Sequence, residues 1–95
     1  MLLSIFNIIE DVNTHFFVVS NMIGTDWTKL ASLLDLVEDI DVIDSENSRI
    51  FDKALVVLSK WKKKFSKQAN VKKLVQVLKQ LERADIVNKI KMTEE

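Results

Sequence analysis

The 95-residue sequence holds no cysteine, no proline and one glycine. Without a thiol there is no disulfide and no thiolate metal site. A zinc site of the usual kind is excluded as well, because His15 is the only imidazole. The lack of proline and the single Gly24 remove most of the chemistry of tight hairpin turns. They also exclude glycine-rich phosphate loops and nucleophile elbows. Long apolar runs are missing too. The longest, Ala54–Leu58, falls far short of the ~20 residues a bilayer-spanning helix needs. No Lys or Arg precedes Lys29, and Glu10 and Asp11 break the apolar start, so residues 1–9 read as the opening of the first helix and not as a secretory leader.

Hydrophobic residues are present at 47%, enough for a folded core and too many for a disordered chain. The length suits one domain over residues 1–95, with a core from roughly 12 to 90. The formal net charge is zero, yet its distribution is uneven. Residues 1–48 carry nine acids against Lys29, a net of −8; residues 49–95 carry 13 bases against five acids, a net of +8. Two patches of opposite sign on a small body favour self-association or a complementary partner.

Apolar spacing of three and four residues recurs along the chain and predicts helices throughout. Ile5, Ile8, Val12, Phe16, Val19 and Ile23 form one stripe, which Gly24 ends as a left-handed cap would. Thr25 or Asp26 is placed to cap a second helix that buries Trp27, Leu30, Ala31 and Leu34. Leu36, Ile40 and Ile43 mark a short segment with Glu38, Asp39 and Asp41 outward, and Ser45–Ser48 reads as a polar loop. Phe51, Ala54, Leu58, Trp61 and Phe65, with Leu55, define the clearest helix, whose other side holds Lys60, Lys63, Lys64 and, beyond it, Lys67. Asn70 is an N-cap candidate for a helix that buries Val71, Leu74, Leu78 and Leu81, with Val75 widening the stripe. Ala84, Ile86, Val87 and Ile90 shape a last helix, with fraying expected from Lys91 onward. No segment alternates with period two, so no sheet is expected. The fold class is all-α, an antiparallel bundle of six helices.

Five blocks of this chain resemble the death-domain family in order and approximate spacing: Trp27-Thr28-Lys29-Leu30-Ala31, Ile40-Asp41-Val42-Ile43, Trp61 late in a long helix, Asn70-Val71-Lys72-Lys73-Leu74-Val75, and Arg83-Ala84-Asp85-Ile86. The pattern is similar to the adaptor-type death domains of apoptotic and innate immune signalling. In Leu34–Asp39 the chain is about one residue shorter than usual, and Asp35 stands where a cap is customary. The resemblance implies a cytoplasmic, non-catalytic interaction module that needs no cofactor. It implies assembly through homotypic contacts: helices 1 and 4 against 2 and 3, the end of helix 4 against the 5–6 corner, and helix 3 against nearby loops.

Candidate partner-binding residues follow from the charges. They are the acids Glu38, Asp39, Asp41, Asp44 and Glu46, assigned to helix 2 and the loop after it, and the bases Lys60, Lys63, Lys64 and Lys67, with Lys72 and Lys73 nearby. The expected partners are other death-domain proteins, self or heterotypic, with no nucleic acid, membrane insertion or small-molecule substrate. Other readings stand beside this one. Lys60-Trp61-Lys62-Lys63-Lys64-Phe65 interleaves bases with aromatics, as a nucleic-acid-binding helix would. Helical phase places Trp61 and Phe65 on the apolar side, and the acidic first half would repel phosphate. Insertion of the same helix at a membrane surface would take that apolar side from the core. Both charge clusters also fit plain solvated faces. Trp27 and Trp61 read as core, and His15 as a partly buried side chain. The pairs Glu82/Asp85 and Asp39/Asp41 lack the cleft that a general acid requires.

Overall fold

The computed structural model describes residues 11–94. Ile5 and Ile8, and the expected helical opening over residues 1–9, lie outside the described residues. Among those described there are six α-helices and no strand: α1 (Phe16–Ile23), α2 (Trp27–Leu33), α3 (Ile40–Glu46), α4 (Ile50–Phe65), α5 (Val71–Gln80) and α6 (Ala84–Glu94). Four 3-10 turns introduce or link them: Val12–His15, Gly24–Asp26, Val37–Asp39 and Ser66–Gln68.

The long α4 is the axis of the bundle. It packs against α1, α2 and α3, while α6 lies across α1 and α5. The core follows from the stripes: Val12, Phe16, Val19 and Ile23, then Trp27, Leu30, Ala31, Leu34, Leu36 and Ile43 are buried. Ala54, Leu58 and Trp61 join them from α4, Leu74 and Leu78 from α5, and Ile86, Val87 and Ile90 from α6. Val57, Ala69 and Val77 are also fully buried although they lie beside the expected stripes. Val57 and Val77 widen the inward arcs of α4 and α5 beyond one row of residues, and Ala69 lies in the connection between those helices. Ala84 is exposed, because it opens α6 before the helix reaches the core. His15 is not partly but wholly buried, at 0% exposure, since it shares an inward face with Val12, Phe16 and Val19.

The helix ends show how so little glycine suffices. Gly24 does terminate α1, but at φ 58 and ψ −140, a region only glycine enters freely, and not in the left-handed helical well expected of it. Ser66 takes nearly the same conformation, φ 51 and ψ −115, at the end of α4. At the end of α2, the Leu36 N–H donates to Ala31 O at 2.8 Å and the Asp35 N–H to Ser32 O at 3.2 Å. At the end of α5, the Arg83 N–H donates to Leu78 O at 2.9 Å and the Glu82 N–H to Lys79 O at 3.0 Å. These are Schellman closures, with Asp35 (φ 63) and Glu82 (φ 58) in the position glycine normally holds. Asp35 thus closes α2 through its backbone. Asn70 is the N-cap of α5: its Oδ1 accepts from the Lys73 N–H at 2.9 Å.

Two boundaries differ from expectation. Ser45 and Glu46 belong to α3, so the polar loop shrinks to residues 47–49. Helix α6 runs through Glu94, past the expected fraying point at Lys91.

Candidate interaction surface

The five acids lie on α3 and the 3-10 turn that leads into it, which corrects their assignment to helix 2 and its following loop. The reason is local: Leu36 and Ile43 are buried in the core, and the residues from Val37 to Glu46 wind as 3-10 turn and helix, not loop. Glu38, Asp41, Asp44 and Glu46 are exposed and Asp39 is partly so. Two valines stand among them, Val37 at 59% exposure and Val42 at 48%.

The lysines of α4 divide by helical phase. Lys53, Lys60 and Lys64, seven and four residues apart, share one flank. That flank faces the acidic side: Lys53 Nζ lies 2.6 Å from Asp44 Oδ1, and Lys64 Nζ donates to the Asp35 carbonyl at 3.3 Å. The basic and acidic sets therefore meet along one edge of the molecule. Asp44 is already engaged within the chain, as Lys53 is, the latter also lying 5.8 Å from the Trp27 ring centroid. Lys63 and Lys67 are exposed. Lys62 folds back on the end of α4, donating to Ser66 O at 3.1 Å, where a cation suits the negative end of the helix dipole.

The aromatic residues separate structural from available ones. Trp27 and Trp61 are 5% and 2% exposed, and Phe16 packs 6.4 Å from Trp61 between ring centroids. Trp61 therefore offers no face to a base, while Phe65 is only partly buried. Phe17, by contrast, is 63% exposed and meets Phe51 edge-on at 5.1 Å, giving an apolar spot where α1 and α4 come together.

A recess of about 230 Å³ opens where the ends of α2 and α4 meet the start of α5. Leu33, Leu34, Trp61 and Phe65 form its apolar wall, with Asp35, Gln68 and Lys73 at its polar margin. No sequence pattern marks it, because its walls come from three helices.

The residue that sequence reasoning missed is Arg83. From the α5–α6 connection its guanidinium donates to Met22 O at 2.7 Å and Ile23 O at 3.0 Å. It also reaches Asp26 Oδ2 at 3.2 Å and grips both oxygens of Asp85 at 3.1 and 2.9 Å. It thus closes the open carbonyls at the end of α1 and ties α6 to the α1–α2 corner. Asp26, one of two cap candidates for α2, makes no capping hydrogen bond and turns to Arg83 instead. The hydrogen bond between Asp85 and Arg83 holds the Asp85 carboxyl below the ordinary value of 3.8, and the same bond raises the Arg83 guanidinium. An acid so held is a poor proton donor. Among the described residues, no group of three or more His, Asp or Glu is arranged to hold a metal ion.

A helical bundle whose features are charged edges and exposed apolar spots defines a class, the protein-interaction module. The death-domain family model matches residues 14–93, nearly the whole described chain, and the protein belongs to the death-domain family. Death domains are protein–protein interaction modules that bind other death-fold domains. No curated protein and no solved structure matches the chain. No helix among the described residues is long and apolar enough to cross a membrane.

Proposed function

We propose that this chain is a single death-domain module that forms homotypic complexes in the cytoplasm and recruits downstream signalling proteins in apoptosis or innate immunity. The observation that supports it is the presence of a lysine set on and after α4 (Lys63, Lys64 and Lys67 exposed, Lys60 partly so) beside a carboxylate set on α3 and the 3-10 turn before it (Glu38, Asp41 and Glu46 exposed, Asp39 partly so). The lysines of one copy, or of a partner, face the acids of the next. Asp44 contributes least, being committed to Lys53. One exposed ion pair is worth only ~0–1 kcal/mol, so affinity requires several pairs around an apolar centre. The chain acts by noncovalent recruitment, without catalysis or cofactor.

Reversing Lys60, Lys63 and Lys64 together to Glu tests the reading. Pull-down of a partner from cell extract should be lost while the thermal transition stays nearly unchanged. Partner capture that survives the triple reversal removes the basic edge from the contact. A gel shift with random duplex should show no retardation; a salt-sensitive shift would favour nucleic-acid binding through Lys60–Lys73.

A further inference from the structure

The serine and threonine hydroxyls of the described residues differ in what holds them. Ser20 is buried, and the hydroxyls of Thr14, Ser32 and Ser45 donate to backbone carbonyls. Ser59 lies inside α4, and Ser48 stands between Glu46 and Asp52. Ser66 is unlike these. It is exposed, it follows the last residue of α4, and its backbone has left the helix at φ 51 and ψ −115. Among the described residues its hydroxyl makes no hydrogen bond. Its surroundings are cationic. Lys62 Nζ donates to the Ser66 carbonyl at 3.1 Å and lies 3.5 Å from the Ala69 carbonyl. Lys63 and Lys64 come three and two residues before Ser66 and Lys67 directly after it, all exposed. No Asp or Glu occurs in the sequence between Asp52 and Glu82. Asp35 approaches from the end of α2, where Lys64 meets its carbonyl at 3.3 Å.

We propose that Ser66 is a phosphorylation site for a serine kinase with an acidic cleft, and that its phosphate pairs with Lys62 and Lys67 and turns off the basic edge. Lysines before the acceptor complement carboxylates in the kinase, the kind of charge pattern by which kinases select substrates. In the transfer, Ser66 Oγ attacks the terminal phosphorus of ATP. The new O–P bond forms as the bond to the bridging oxygen breaks, ADP leaves with that electron pair, and the hydroxyl proton passes to a carboxylate of the kinase. The product carries about −1.5 to −2 charge. At the C-terminal end of a helix such a group is repelled by the dipole, so it needs cations beside it. Lys62 already stands at the Ser66 carbonyl and supplies one. The added charge cancels up to half of that on Lys60, Lys63, Lys64 and Lys67 and presents a like charge to partner carboxylates. The site stands on the corner's geometry; its effect on binding rests on the reading that the lysine edge docks on acids.

The whole chain, incubated with ATP and purified protein kinase C as a kinase that reads basic residues, tests the site. One phosphate should be incorporated and map to Ser66 by mass spectrometry. Ser66→Gly, which suits the positive φ, should take up none there, and Lys63→Ala with Lys64→Ala should slow incorporation at least tenfold. In phosphorus NMR the second ionisation of the phosphate, at about pH 6 in free phosphoserine, should move to lower pH in the folded chain. Lys62→Ala with Lys67→Ala should return it. Capture of the partner from extract should fall at least tenfold on phosphorylation, with melting nearly unchanged. Absence of phosphate at Ser66 overturns the proposal, as does a rate indifferent to both lysines or a phosphate that titrates as free phosphoserine. Undiminished capture by the phosphorylated chain, where the Lys60, Lys63 and Lys64 reversal abolishes it, overturns the switch. Capture that survives that reversal sinks the recruiting reading instead, and incorporation and titration then decide the site by themselves.

Discussion

Arg83 shows how much one side chain decides in a bundle this small. Its guanidinium meets two backbone carbonyls and two carboxylates from three parts of the chain, which a planar, always charged fork can do and an ammonium cannot. Hydrogen bonds to a charged group contribute roughly 1.5–3 kcal/mol, and truncation also leaves the carbonyls at the end of α1 without their donor. Arg83→Ala should therefore destabilise the domain by about 2 kcal/mol in urea unfolding, and Arg83→Lys should recover less than half of that. The partner acid gives a pH signature. Asp85 is held below 3.8, so its contribution is present above the unfolded value and is lost as pH falls through the folded one. Melting curves of wild type and Asp85→Asn should differ by a constant amount from neutral pH down to about pH 5 and converge in the acid region below. A gap that is unchanged at low pH would remove the ion pair as its cause. Arg83 was visible in the sequence only as the first member of a family-like block. Three of its partners, Met22, Ile23 and Asp26, lie about 60 positions earlier, and no periodicity links residues so far apart.

Among the elements, the connections and not the helices carry the strain. With one glycine available, three helix ends place Asp35, Ser66 and Glu82 at positive φ. A side chain in the left-handed region costs of order 1 kcal/mol that glycine avoids. Glu82→Gly should raise unfolding stability by about 0.5–1 kcal/mol, because the exposed Glu82 side chain makes no hydrogen bond that would be lost. Ser66→Gly should act in the same direction, at the second corner that repeats the Gly24 geometry. A loss of stability in both would place the strain elsewhere. The helices themselves were legible from three-and-four spacing, and so was the Asn70 cap, since a cap is a local event within four residues. The extent of α3 was not. Ser45 and Glu46 read as a loop by composition, whereas they continue the helix whose buried Ile43 joins the core.

The whole molecule separates a hidden aromatic core from a charged exterior. Both indoles are core, so iodide should quench native tryptophan emission far less than that of the urea-unfolded chain. Free quenching of either indole in the native monomer would contradict the packing. Whole-molecule electrostatics also differs from what two oppositely charged sequence halves suggest. Packing α3 against α4 makes the halves touch at Lys53 and Asp44, so part of the charge is satisfied internally. What remains for a partner is the exposed surplus on each side of that seam.

By itself the sequence determined the helical class, the six-helix count, the buried tryptophans and the family, because hydrophobic burial acts through a period that every local window repeats. Only the tertiary structure decided which charges are spent within the chain, where Arg83 anchors and where the recess between α2, α4 and α5 opens. Each of those depends on side chains that meet from separate helices, and the angle and closeness of helix packing is a property of the assembled core, not of any one segment.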